Sequence, residues 1–177
     1  MSDRHTLLFS RPPPPKQLPI LPLGITRAFI PTPLGVLELL ISQPSPSVSR
    51  KKALLFQHGG FGFAQEWTDF MSYFSARGYP CYAVSLRGHG GSWQPGYWKM
   101  TWWYGKADFA NDLTAAIAFV RGVEIGKRGL GEGGFADGDL VLLGHSAGGG
   151  LSQYVLGRGD AKVGALVIMS GFPAFGG

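Results

Sequence analysis

The chain is short of several things at once. It has one cysteine, Cys81, in 177 residues. That excludes a disulfide framework and a cysteine-ligated zinc site, and it fits a reducing compartment. Charged residues are 15% against 45% hydrophobic, which excludes an intrinsically disordered chain for most of the length. No apolar run approaches the roughly 18 residues that a membrane-spanning helix needs. The first fifteen residues, MSDRHTLLFSRPPPP, hold only LLF as an apolar stretch, which is too short for a secretory signal. The expectation is a cytoplasmic protein with no stable membrane insertion.

Charge is also missing where a nucleic-acid binder would need it. The formal net charge is +5, but residues 1–52 hold seven Lys/Arg against two Asp/Glu, and residues 53–177 hold nine of each sign. The basic excess therefore sits in the leader and not on a folded face, so no nucleic-acid partner is expected. Ten of the thirteen prolines lie within residues 12–46. Proline lacks an amide donor and fixes φ. Residues 1–24 accordingly read as a disordered Pro-rich leader, whose PPPP run could dock in a polyproline-binding groove.

What is present begins with Thr26–Ser42, two β-rich runs joined by PTPLG, a hairpin with Gly35 at its turn. From Ala53 the pattern alternates. ALLFQ, CYAVSL, DLVLLG and ALVIM read as buried strands. Trp67, Phe70, Met71 and Phe74 form one helical face, stopped by Gly78. Phe109, Leu113, Ala116, Ile117 and Val120 form a second, ended by Gly122, and Leu151, Tyr154 and Val155 mark a third. Strand–helix alternation with apolar strands predicts an α/β fold, a mostly parallel sheet with helices on both faces. Residues 122–138 hold seven glycines and read as a flexible surface insertion, not a phosphate cradle.

Three Gly-rich turns follow three of these strands. Gly144-His145-Ser146-Ala147-Gly148 is a GxSxG motif that directly follows one strand and directly opens a helix, the context of a nucleophile elbow. Gln57-His58-Gly59-Gly60-Phe61-Gly62 can aim a backbone N–H at a developing oxyanion, with Gly60 preferred over Phe61 as the donor and Ala147 N–H as its partner. Leu86-Arg87-Gly88-His89-Gly90-Gly91-Ser92 follows the strand between them. Ligands of open α/β sheets bind at that edge.

In this order and spacing, HGG, LRGHGGS and GHSAGG resemble the α/β-hydrolase family, over about residues 53–171, with the hairpin resembling the family's first two strands. The resemblance implies a serine nucleophile at Ser146 and an oxyanion hole at Gly60 and Ala147. It implies no metal and no organic cofactor, and a small-molecule acyl substrate. Ser85 stands where the family usually has Asp, which is not a triad position. A serine at the elbow argues against a dehalogenase, which needs a carboxylate nucleophile.

The family's triad runs Ser, then Asp or Glu, then His along the chain. After Ser146 the only acid is Asp160, and there is no histidine. His5 lies in the leader, His145 should point away from the Ser146 hydroxyl, and His58 and His89 read as structural hydrogen-bonders. Residues 25–177 are therefore expected to be a partial α/β-hydrolase domain that lacks the last strands and helices. Such a chain would be impaired in catalysis, since losing a triad member leaves about 10³–10⁴-fold over water. The rival readings are a non-catalytic remnant or interaction module, and half of a split enzyme. The strand ALVIM would present a bare apolar edge through which chains associate.

Trp93, Tyr97, Trp98, Trp102, Trp103 and Tyr104 fall within twelve residues. They read either as a loop packed on the following helix, as a contact surface for the absent part, or as the apolar wall of an acyl pocket, with Phe61, Trp93 and Trp98 contacting substrate. Cys81 reads as inert core, and Asp137 and Asp139 as solvated turn residues.

Overall fold

A computed structural model describes residues 18–130 and 134–173. The readings of the PPPP run, of His5 and of the leader up to residue 17 lie outside the described residues. Residues 18–24 form no helix or strand, and Pro19 is tied to the body by a bond from Arg27 to its carbonyl (3.0 Å).

Six strands form one sheet in the order β1-β2-β4-β3-β5-β6. The hairpin is β1 (Ile25–Thr32) and β2 (Gly35–Ser42), closed by a two-residue turn at Pro33 and Leu34 that pairs Thr32 with Gly35. Pro31 is tolerated in β1 because that strand is an edge. β3 (Ala53–Gln57), β4 (Cys81–Val84), β5 (Leu140–His145) and β6 (Ala165–Met169) run parallel, and β2 joins them antiparallel through Leu40↔Ala83. The predicted α/β fold with a mostly parallel sheet is the one observed.

Period-two alternation divides the core. Leu55, Tyr82, Val84 and Leu142 face α3 (Lys106–Arg128) and α4 (Ala147–Gly157), whose Leu113, Ile117, Val120, Leu151 and Val155 cover them. Leu54, Phe56, Cys81 and Ala83 point the other way, onto Trp67 and Met71 beside and on α1 (Thr68–Ser75). Both faces of β3 and β4 are thus fully buried, and each large apolar side chain so buried contributes about 1.5–3 kcal/mol. A short helix, α2 (Tyr97–Trp102), carries part of the aromatic run and buries no residue.

The second helical stripe does not end at Gly122. α3 runs through Gly122 and Gly126 to Arg128 and stops at Gly129, in the left-handed region (φ 62°). The reason is tertiary. The fully buried Glu124 accepts bonds from Arg50 (2.6 Å), Arg128 (3.0 Å) and the Tyr82 hydroxyl, so packing carries the helix past residues of weak propensity. The rest of the Gly-rich stretch is not all surface either, for Phe135 is buried in the α3–α4 core. Asp137 pairs with Arg121 (2.6 Å), and Asp139 accepts the Ala136 amide (3.1 Å).

β6, at the edge of the sheet, differs from the other parallel strands. None of its five residues is buried, and Val167 and Ile168 are 42% and 43% exposed. Among the described residues no helix is long and apolar enough to cross a membrane.

Candidate functional site

The carboxyl ends of β3, β4, β5 and β6 meet at one cavity of about 540 Å³. Its polar rim is Gln57, His58, Gly59, Gly60, His89 and Lys106, and its apolar wall is Leu86, Phe109, Leu151, Phe172 and Pro173, with Ala147, Gly148 and Gly150 from the start of α4.

Ser146 sits at the junction of β5 and α4 with φ 51° and ψ −124°. A non-glycine residue in that region costs of order 1–3 kcal/mol and persists only where its surroundings impose it. They do so here by backbone contact. A side chain at Gly148 would strike the His58 carbonyl oxygen, and one at Gly144 would lie 2.7 Å from Gly149 Cα. The Ser146 amide donates to Met169 O (2.9 Å) and its carbonyl accepts from Gly149 N–H (3.0 Å), so the turn is tied to β6 and to its own helix. Ser146 is half-buried. Among the described residues its Oγ has no hydrogen-bond partner.

The turn after β3 packs against this elbow. A Cβ at Gly59 would lie 3.3 Å from Ser146 Cβ, and one at Gly60 would lie 3.7 Å from Ala147 Cβ. Gly60 and Ala147 thus lie side by side at the edge of the same cavity.

His58 is 2% exposed. Its Nε2 accepts the Leu86 amide (3.1 Å) and its Nδ1 donates to Gly59 O (2.6 Å), which fixes a neutral ring. Burial, with the neighbouring His89 adding to it, pushes its pKa down to about 4. His89 faces Arg87 O (2.8 Å) and Gly60 O (3.0 Å) through its two nitrogens. Both rings act as structural hydrogen-bonders, as expected. His145 is exposed, and its ring lies beside Gly59.

The three aromatics expected against substrate do not line this cavity. Phe61 projects fully into solvent. Trp93 lies under the hairpin, its ring where a side chain on Gly35 would be, edge-on to Tyr104 at 5.9 Å. Trp98 is on the exposed α2, edge-on to Tyr97 at 5.5 Å. The cavity wall comes instead from Phe109, Leu86, Leu151 and Phe172. Phe109 was legible only as part of a core stripe, and it lines the cavity because it stands in the first turn of α3. Lys106, at the start of the same turn, places its ammonium 4.3 Å from the centre of the Tyr154 ring. Among the described residues no cluster of three or more His, Cys, Asp or Glu could hold a metal ion.

A parallel sheet whose strand–turn–helix elbow and Gly-rich turns converge at the carboxyl edge defines a class of α/β protein that builds its site there. The profile of the alpha/beta hydrolase fold matches residues 52–176. A non-heme haloperoxidase of Rhodococcus erythropolis is 28% identical over 123 residues, which cover 69% of this chain and 38% of that protein. Among solved structures, a thioesterase domain from the curacin biosynthetic pathway superposes with a TM-score of 0.61 at 22% identity, covering 83% of this chain and 46% of that one. A Vigna radiata epoxide hydrolase mutant gives 0.61 at 21% identity, covering 82% and 38%. The chain belongs to the alpha/beta hydrolase fold family. It spans less than half the length of the relatives it matches.

Proposed function

We propose that this chain carries the nucleophile and oxyanion half of a serine hydrolase. Ser146 Oγ attacks the carbonyl carbon of an ester, thioester or amide as its proton passes to a base that no described residue supplies. The carbonyl oxygen becomes an oxyanion held by the Gly60 and Ala147 amides, and its collapse expels the leaving group, which takes up that proton, to yield an acyl-enzyme that water cleaves. The observation that carries this reading is the elbow itself: a serine held at φ 51° between a parallel strand and a helix, beside a cavity bordered by both amide donors.

The same geometry supports weak turnover by this chain alone. Ser146 Oγ has no partner among the described residues, and the nitrogens of His58 and His89 are already committed. A neutral serine without a base is a poor nucleophile. That observation favours, as the second reading, a chain that acts only when another segment or polypeptide supplies acid and base.

A fluorophosphonate probe tests the proposal. It phosphonylates an activated serine with loss of fluoride. Labelling at Ser146 that vanishes in Ser146→Ala supports the nucleophile. Absence of labelling in the wild-type chain favours a non-catalytic module. Esterase activity that emerges only on mixing with a co-purifying chain supports the split enzyme.

A further inference from the structure

The turn that faces Ala147 is held at both ends by bonds within reach of the chain itself. Gly59 O accepts the Gly62 amide (3.1 Å) and His58 Nδ1–H (2.6 Å), so residues 59–62 close a β-turn with Gly60 and Phe61 at its centre. A closing bond does not fix the central peptide of a turn. Types I and II differ by a flip of that peptide, and type II needs a positive φ at the third residue. Phe61 has no positive φ, so the peptide formed by Gly60 C=O and Phe61 N–H stands in one of its two orientations.

One side chain holds it there. Gly60 O accepts from His89 Nε2 at 3.0 Å, and among the described residues Gly60 O has no other partner. His89 is itself fixed. Its Nδ1 lies 2.8 Å from Arg87 O, its ring is 4.8 Å from that of His58, and Arg87 is locked to the buried Asp112 at 2.8 Å. A carbonyl oxygen only accepts, so the bond to Gly60 O requires the proton on Nε2; a neutral ring then has none left for Arg87 O, and only the doubly protonated ring donates to both carbonyls.

We propose that His89 is a positioning residue for the oxyanion site: by donating Nε2–H to Gly60 O it fixes the central peptide of the 59–62 turn, and with it the direction of Phe61 N–H, the turn's second candidate donor, while Gly60 N–H lies in the preceding peptide, whose carbonyl is held by Gly62 N–H and His58 Nδ1–H. This rests on reading the turn as an oxyanion site. His89 forms no bond with substrate in this role and moves no proton. It removes an alternative orientation of the donor before any substrate arrives, which is where preorganised electrostatic stabilisation comes from.

The test uses the full chain. Long-range ¹⁵N–¹H spectra of the wild type should show a proton on His89 Nε2, and an unprotonated Nε2 overturns the proposal without any variant. In His89→Ala, fluorophosphonate labelling of Ser146 should slow about tenfold, less than the 10²–10³ that losing an oxyanion donor outright costs. Amide exchange of residues 59–62 should quicken in the same variant. His89→Gln, which keeps an N–H donor, should stay within about threefold of wild type in labelling and near wild type in exchange. Equal labelling in wild type and His89→Ala, or equal loss in the Ala and Gln variants, overturns the clamp. If the wild-type chain does not label at all, the serine reading fails, and the ring proton and the exchange of the turn still decide whether His89 holds it.

Discussion

The two flanks of the sheet are built to different standards. On one side of β3, strand β4 and most of β2 are buried and bonded to polar side chains, although the edge strand β1 leaves Phe29 43% exposed. On the other, β5 is buried but β6 exposes Val167 and Ile168. The elbow lies across the boundary. Its glycines press into the end of β3, its own helix and, at Gly149, Ile168 of β6, and the Ser146 amide is bonded to Met169 O on β6. The contrast teaches that the strained turn at Ser146 is gripped from both flanks, by the His58 carbonyl against Gly148 on the buried side and by Ile168 against Gly149 on the open one.

The comparison can be broken most sharply at Gly148. Gly148→Ala puts a methyl into the His58 carbonyl, so the elbow must open or the fold must shift. Destabilisation of about 3 kcal/mol or more is expected in urea unfolding, with loss of probe labelling. Next, Asp112→Ala leaves the buried Arg87 guanidinium with only Asp108, among the described residues, as an acid beside it. Breaking such a pair costs about 3–5 kcal/mol, and the melting temperature reads it. It should disturb the buried flank while leaving β6 as it is.

The acid limb of stability sharpens the contrast further. His58 titrates near 6.5 in the unfolded chain and near 4 in the folded one. Above 6.5 both states hold it neutral and pH has no effect through this group. As pH falls from 6.5 to 4 the unfolded state gains a proton that the folded state refuses. Stability should therefore drop by up to about 3 kcal/mol, then level off. His58→Gln should flatten that slope in pH-dependent unfolding.

The smallest effect on folding is expected at the open flank. Val167→Lys on β6 should change monomer stability by less than about 0.5 kcal/mol. If exposed β6 draws chains together, it should also shift the wild type's concentration-dependent elution in size exclusion toward monomer. A wild-type chain that already elutes as a monomer with a cooperative melt would remove the distinction between the flanks.

Much of this was legible in the residues. Apolar runs of four to six bounded by Gly-rich turns marked β3 to β6, and GHSAG between a strand and a helix marked the elbow, because local chemistry dictates both. What escaped was long-range. Trp93 reads as a pocket wall until the hairpin register brings Gly35 beneath it. Gly122 reads as a helix end until Glu124 is found to be a shared acceptor for Arg50, Tyr82 and Arg128. A lone acid in sequence carries no sign that it will be buried, and a phenylalanine in a core stripe carries no sign that it stands at a cavity mouth.

Glu38 draws these threads together. Its carboxylate, on β2, accepts from Arg27 Nε (2.7 Å), Gln65 Nε2 (2.8 Å), Ser85 Oγ (2.9 Å) and the Gly91 amide (2.7 Å). The segment carrying His89 is thereby anchored at both its beginning and its end, far from any reacting atom. A ligand entering the cavity meets a loop that has already surrendered its freedom, so calorimetry of a small bound acyl analogue should show little entropic penalty from ordering the protein, and a Glu38→Ala chain should bind the same molecule with a more unfavourable entropy.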